Sequence, residues 1–386
     1  MKSFNIPKFL VSLFGFCLFS GLDARPAYAD FTFGEPADLD VGMRFFPNSD
    51  VFVSCFSSDG LEMFVESDLA GGQGIRDIWV LKRASQEDGW GPPENLGSAV
   101  NSASMEFCSS VSGDGLELYF MSNRPGGYGA FNLYVTRRAT RTSQWGPATN
   151  LGPKVNTSYG DYAPSVSSDG LELYFSSYRP GGYGIADIYV SKRATTQDPW
   201  GNPVNLGPAV NSPSYEECPC LSADGLLLLF QGGRPGGFGD CDLWMTRRAN
   251  RTAPWEPAVN LGPIINSPEY DCRPALAPDG SALYFEWNWP DRRARPWKVP
   301  ILPIVDFNAD GKVDRVDTGA LMLNWDTDKS LYDIGPTPLG DGIVDSKDLM
   351  VLAQHGAMLA GDVNYDGVVD FFDLVELAKN WLQQGP

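Results

Sequence analysis

An Asp-Gly pair stands at residues 59–60, 114–115, 169–170, 224–225 and 279–280, each 55 residues after the one before (114 minus 59, and so onward). A fixed period of that size limits a chain to one supersecondary unit packed against copies of itself. The unit is clearest in Ser112–Arg138 (SGDGLELYFMSNRPGGYGAFNLYVTRR). Asp114-Gly115 makes a tight turn, because Gly accepts the positive φ that such a turn demands. Leu116–Phe120 is rich in aliphatic and aromatic residues and reads as a strand. Arg124-Pro-Gly-Gly-Tyr-Gly reverses the chain into a further strand at Asn132–Val135.

Two more strand signals complete the copy, Phe107–Val111 and a segment around Trp145–Leu151. Trp90, Trp145, Trp200 and Trp255 are each followed five residues on by Asn-Leu-Gly. Four antiparallel strands per period make one propeller blade, which cannot bury its apolar faces alone. The ends of the array specify closure. Five units begin, but only four finish with Trp and Asn-Leu-Gly; the last runs out after Trp297–Ile301 (WKVPI). Phe33-Gly-Glu-Pro-Ala-Asp-Leu39 resembles an orphaned fourth strand. Residues 31–40 are therefore expected to complete the fifth blade and remove the exposed strand edges. The fold class is an all-β five-bladed β-propeller over 30–302, closed by the N-terminal strand.

Ser-x-Asp-Gly-x-x-Leu-Tyr-Phe-x-Ser-x-Arg-Pro-Gly-Gly, followed by Asp-Ile-Tyr-Val, resembles the WD40-like (PD40, TolB-type) β-propeller repeat over roughly Asp50–Ile301. The first copy departs from it, with Asp68-Leu-Ala-Gly-Gly in place of Asn123-Arg-Pro-Gly-Gly. The fifth lacks that loop, which leaves its second hairpin in question. The resemblance implies an exported or periplasmic protein that binds partners, and only sometimes an enzyme.

Eight residues before each Asp-Gly sit Glu106, Asp161, Glu216 and Asp271, with Asp50 one position off in the first copy. They fall just before the innermost strand and could ring one mouth of the channel as a polar-ligand or cation site. Because they recur with the blade, the favoured role is acceptance of backbone N–H groups in their own interblade loops. Glu62, Glu117 and Glu172 alternate with apolar neighbours and are expected to face solvent. Arg124, Arg179 and Arg234 are expected to pair with Asp187, Asp242 or backbone carbonyls. Tyr128, Tyr183 and Phe238 are candidates for stacking on sugar faces, a placement that hairpin packing explains equally well. The lone histidine, His355, lies outside the repeats, so the propeller holds no Ser/His or Cys/His system. A glycoside hydrolase needs only two carboxylates, which Glu106, Asp161, Glu216 and Asp271 could supply. No acidic pair is found that breaks the repeat.

Residues 1–29 read as a signal peptide, with Lys2 and Lys8 ahead of the apolar run Phe9–Leu22 and Ala27-Tyr28-Ala29 at the cleavage site. A secreted, extracellular or periplasmic protein without a membrane span is expected. The net charge of −19 argues against nucleic acid as a partner. Residues 304–386 carry 15 acidic and 5 basic side chains, so about half of the excess sits in a distinct module. Six cysteines follow the leader: Cys55, Cys108, Cys218, Cys220, Cys241 and Cys272. Export permits disulfides, but their pairing is not legible, and buried thiols or one or two bridges are both open.

That acidic module (303–386) carries Asp306-Phe-Asn308-Ala-Asp310-Gly311-Lys312-Val-Asp314-Arg-Val-Asp317 and Asp362-Val-Asn364-Tyr-Asp366-Gly367-Val368-Val-Asp370-Phe-Phe-Asp373. Oxygen ligands at loop positions 1, 3, 5, 9 and 12, with the carbonyl of Lys312 or Val368 at position 7 and Gly at 6, have EF-hand spacing. Two Ca2+ sites are expected, leading into helices at Asp317–Trp325 and Asp373–Leu382. A degenerate copy between them has Thr337 and Leu339 at positions 1 and 3, so no full site is expected there; its helix is Leu349–His355. A calcium loop plus one helix, duplicated, resembles a type I dockerin, a small α-helical EF-hand-like domain. The resemblance implies a cohesin-like docking partner and a role near polysaccharide breakdown. Arg315-Val316 and Phe371-Phe372 occupy the partner-choosing positions in place of the small hydroxylated pair common in cellulosomal dockerins. The sequence thus points to a secreted, non-catalytic propeller that binds a glycan or protein, with a polysaccharide hydrolase as the alternative.

Overall fold

The computed structural model describes residues 31–39, 41–287, 295–307, 313, 315–327, 333–335, 339 and 343–354. Four sheets of four strands run from channel to rim as Val51–Phe56, Glu62–Ser67, Asp77–Lys82, Glu94–Asn95 and their counterparts one, two and three periods later. The fifth consists of Asp271–Leu276, Ala282–Trp287, Arg295–Pro303 and the N-terminal strand pair. Phe31–Phe33 lies antiparallel to Ile301–Pro303, and Ala37–Asp38 to Trp297–Lys298. The ring therefore has five blades, closed by the first described residues of the chain. The fifth blade keeps its second hairpin: Ala282–Trp287 pairs along its whole length with Arg295–Pro300.

The repeated residues hold a blade together and tie it to the next. Asn101 accepts the Ile78 N–H, returns a bond to the Ile78 carbonyl, and donates to Asn95 of the Asn-Leu-Gly triplet. Asn156, Asn211 and Asn266 do the same, so the triplet anchors the outer edge to the third strand. Trp145, Trp200 and Trp255 meet Phe64, Tyr119 and Tyr174 of the preceding blade edge-on, with ring centroids 5.9–6.3 Å apart.

One expectation about charge is overturned, and of a second only the pairing with backbone carbonyls holds. Glu62, Glu117 and Glu172 are buried, paired with Arg138, Arg193 and Arg248 of the following blade. Alternation within one strand cannot register a partner arriving 76 residues later (138 minus 62). Arg124, Arg179 and Arg234 turn to Glu106, Asp161 and Glu216 and to the carbonyls of Val100, Val155 and Val210. Asp187 and Asp242 are already taken by N–H groups of their own hairpin loops.

The innermost strands each carry a bulge. At its centre Cys108, Ala163, Cys218 and Arg273 adopt φ between 47° and 56°. A bulge bends the strand and re-aims a side chain, here along the channel. All six described cysteines are free thiols, and burial pushes Cys55 up to about 12 and Cys220 to about 11.

After the propeller, the helices Arg315–Met322 and Ser346–Gln354 share a small apolar core built from Leu321, Ile334, Val344, Leu349 and Leu352. The expected leader (1–29), the expected ligands Asn308, Asp310, Lys312 and Asp314, the whole expected second loop from Asp362 to Asp373 with its helix, and His355 lie outside the described residues. No helix among those described is long and apolar enough to cross a membrane.

Candidate functional site at one mouth of the channel

In a repeat array a side chain that recurs in every copy serves the blade. A polar side chain that breaks the register is free for other work. Three neighbouring registers break together. The inner strands offer Phe52, Phe107, Tyr162, Glu217 and Cys272, then Val53, Cys108, Ala163, Cys218 and Arg273; the second strands offer Glu66, Met121, Ser176, Gln231 and Glu286. Closure of the ring gathers the exceptions into one cavity of about 300 Å³, lined among others by Glu217, Gln231, Arg273 and Glu286, with Phe52, Tyr162 and Tyr270 as its aromatic surface. Beyond the bulge layer the channel narrows to about 40 Å³ before widening to the opposite mouth.

Arg273 is the hub. Its Nη1 donates to Glu66 Oε1, and its guanidinium lies 4.0 Å from the centre of the Phe52 ring. Arg76 stacks on the same ring at 4.4 Å. The other Glu66 oxygen accepts the Cys108 N–H (2.5 Å) and the Ser54 hydroxyl (2.8 Å), so both oxygens of this carboxylate are engaged. The Arg273 N–H donates to Gln231 Oε1 (3.0 Å), and Gln231 Nε2 donates to Glu217 (3.3 Å). Tyr178 donates to the other Glu217 oxygen at 2.5 Å. Phe107, Phe131, Tyr162 and Tyr178 follow one another with ring centroids 5.3–5.5 Å apart, an aromatic wall leading down to that acid.

Glu286 differs from its neighbours. It is 5% exposed and Oε1 has no hydrogen-bond partner, while Oε2 receives only the Cys272 thiol at 3.7 Å. Burial pushes its carboxyl up to about 8; Arg273 pulls the other way and Glu66 adds to the rise. The cavity is thus bordered by an acid whose charged form burial disfavours, next to the Glu66–Arg273 ion pair in the narrower part of the channel.

The four carboxylates singled out by periodicity are placed elsewhere. Glu106 accepts from Ser102 N (2.8 Å), Ser102 Oγ (2.6 Å), Ser122 Oγ (2.7 Å) and Arg124 (3.0 Å). Asp161 accepts from Thr157, Ser177 and Arg179, Glu216 from Ser212, and Asp271 from Ser267. All four are fully buried at the first position of their inner strands, bonded to the interblade loops that lead into them, and none lines the cavity. Burial raises Asp271 to about 6 despite those bonds. Tyr128, Tyr183 and Phe238 are about half exposed at second-hairpin tips, on the cavity face of the disc. The acidic pair that breaks the repeat is Glu66 and Glu286. Laying the copies out register by register would have found it.

In the C-terminal residues, Asp317 is fully buried and accepts the Phe307 N–H at 2.7 Å, folding loop position 12 back onto position 2. Asp348 is equally buried and accepts from Ile334 (2.6 Å) and Gly335 (2.7 Å). The degenerate copy is therefore gripped at Ile334–Gly335, ahead of the Thr337 register expected from spacing. Among the described residues no three acidic, histidine or cysteine side chains converge as a metal site would.

The chain matches no protein-family model, and no curated protein sequence matches it. Among solved structures it is similar to TolB from Acinetobacter baumannii (16% identity, TM-score 0.43), over 65% of this chain and 54% of that one. It therefore spans about half of that protein. It is also similar to an α-L-arabinofuranosidase from Lactobacillus brevis (13%, TM-score 0.44, 64% and 88%). A third is a putative exo-β-1,3-galactanase from Bifidobacterium bifidum (14%, TM-score 0.42, 72% and 94%). At these identities no activity transfers, and the blade count rests on this chain's own strand pairing. Fold and site together define a closed five-bladed propeller with a polar, repeat-breaking cavity at one mouth.

Proposed function

We propose that this protein is a secreted binding propeller whose mouth cavity takes a hydroxyl-rich ligand, the end of a glycan chain. The observation that carries the reading is the juxtaposition of the aromatic wall Phe107–Tyr178 with Glu217, Gln231 and the unpartnered oxygen of Glu286. Sugar rings bind through their C–H faces to aromatic surfaces and through their hydroxyls to a few fixed polar groups. Engagement of both Glu66 oxygens by Arg273, Ser54 and Cys108 favours a holding role over attack on a glycosidic carbon. In the same reading the tail is dockerin-like and binds two Ca2+ through Asp306, Asn308, Asp310, Lys312, Asp314 and Asp317, and through Asp362, Asn364, Asp366, Val368, Asp370 and Asp373. It presents the propeller to a cohesin-like partner. The hard oxygens of this donor set fit Ca2+, and the buried Asp317 bonded to Phe307 is consistent with a closed loop. Chelation with EDTA should melt the tail and leave the propeller's far-UV signal in place; loss of the whole signal would contradict a separate calcium-held module.

Glycan-array binding lost in Tyr162→Ala and Glu217→Gln, with no reducing ends released, is the expected result. Absence of binding to any glycan would sink it. One observation favours a second reading, a glycoside hydrolase: the raised carboxyl of Glu286 beside the ion-paired Glu66 has the asymmetry of an acid and its partner. Release of reducing ends by the native protein, abolished in Glu286→Gln with folding intact, would decide for it.

A further inference from the structure

At three of the five seams between blades an arginine grips a glutamate of the blade before it. Arg138 reaches Glu62 (3.0 and 2.5 Å), Arg193 reaches Glu117 (2.5 Å) and Arg248 reaches Glu172 (2.9 Å). In two of them a tyrosine hydroxyl completes a triad, Tyr119 on Glu117 (2.7 Å) and Tyr174 on Glu172 (3.0 Å). Every such arginine is posed alike, with Nε on a glycine carbonyl and its guanidinium 4.3–4.5 Å from a Trp ring centre. Between the fourth and fifth blades both partners are replaced together. Leu227 stands at the glutamate register and Ile301 at the arginine register, buried in one apolar cluster.

The seam between the fifth and first blades loses only one partner. Arg83 holds the familiar pose, with Nε on the Gly60 carbonyl (2.7 Å), Nη1 on the Gln86 carbonyl (2.7 Å), and the guanidinium 4.5 Å from the Trp90 ring centre. Tyr284 keeps the tyrosine register. Ala282 stands where the glutamate would be. Nη2, which grips the carboxylate at the other three seams, has no hydrogen-bond partner among the described residues. Beside Arg83 and Tyr284 lies a cavity of about 240 Å³, bordered also by Gln86, Ser281 and Lys298. Asp279 also borders it, but its Oδ1 is turned to the N–H and hydroxyl of Ser281 in its own turn.

We propose that this seam binds a carboxylate brought by a ligand, and that the ligand is a uronic acid residue. The carboxylate takes the place of the absent glutamate on Arg83 and Tyr284, a charge-assisted site already posed by packing. The remaining volume exceeds what a bare carboxylate fills, and Lys298, Gln86 and Ser281 face it as partners for hydroxyls. The site is on the Asp-Gly face of the disc, opposite the Arg273 cavity, so either can fail without the other.

Titration calorimetry with galacturonate, galactose and acetate tests it on the full-length protein. Galacturonate should bind the native chain, and galactose should bind at least about tenfold more weakly, as expected for a lost charge-assisted contact. Ala282→Glu supplies the missing side chain and should abolish galacturonate binding while raising the melting temperature. Arg83→Gln should weaken binding by a similar factor. Galacturonate binding that survives Ala282→Glu, or no binding to the native chain, would overturn the site. Equal affinity for acetate would overturn the assignment to a sugar acid.

Discussion

Burial in the closed ring raises the Glu286 carboxyl to about 8, and that has a measurable cost. A carboxyl raised in the folded state adds stability only while it is protonated. Its contribution is complete below the unfolded value near 4.5 and is lost as pH rises towards about 8. Asp271, raised to about 6, acts in the same direction at lower pH, so the interval from 6 to 8 isolates Glu286. The native protein should lose about 2 kcal/mol across that interval through this group, and Glu286→Gln should lose little of it. Melting curves of the two proteins that fall in parallel from pH 6 to 8 would show that Glu286 ionises normally. The residues of this site were all legible as letters, and Glu66 and Glu286 share one register four periods apart, yet that spacing alone does not say that the two side chains meet. They meet because the ring brings the first and fifth blades side by side, and Arg273 fills the space between them. Periodicity pointed instead to Glu106 and its counterparts, because a residue repeated with the blade is the residue that the blade itself uses.

The blade is the element, and the seams decide how strongly one blade holds the next. Glu62 and Arg138 are both nearly removed from solvent, so cutting one leaves the other charged and unpaired in a dry seam. Arg138→Ala should therefore cost about 3–5 kcal/mol, more than an exposed pair is worth. The fourth seam shows how the cost can be avoided, since Leu227 and Ile301 replace both charges at once. A double replacement of Glu117 by Leu and Arg193 by Ile should accordingly lie within about 1 kcal/mol of the native protein. Urea midpoints for the single and double variants check both, and a double variant as unstable as either single one would refute the argument. The 55-residue period, the four strands and the turn at each Asp-Gly were readable because they depend on neighbours close in sequence. The seam pairs were not, because one strand's alternation carries no trace of a partner in the next blade. Glu62, Glu117 and Glu172 looked solvent-facing for that reason.

At the scale of the molecule, closure depends on a few residues at the start of the described chain, meeting a strand poorly equipped to receive them. Arg295–Pro303 contains Pro296, Pro300 and Pro303, which donate no N–H, so the joint is made partly through their carbonyls. Gly34 N–H bonds to the Pro300 carbonyl (2.9 Å) and Leu39 N–H to that of Pro296 (3.0 Å). With so sparse a ladder, side chains must hold the seal. Phe31 is buried in the cluster of Leu283, Val299 and Ile301, edge-on to Phe33, with Arg247 of the fourth blade over its ring at 5.2 Å. Phe31→Ala should cost about 3–5 kcal/mol, the range for truncating a buried aromatic. Deleting residues 31–39 should do more, because it bares the edge of Arg295–Pro303 and the apolar face behind it. The prolines blunt that edge but cannot replace the lost burial, so the truncated chain should self-associate and melt earlier and more broadly than the native one. Sedimentation velocity and calorimetry on the two proteins measure this. A monomeric truncation variant with an unchanged, equally sharp transition would mean that the ring does not need its N-terminal strands, and the cavity at Arg273 would then owe nothing to their closure.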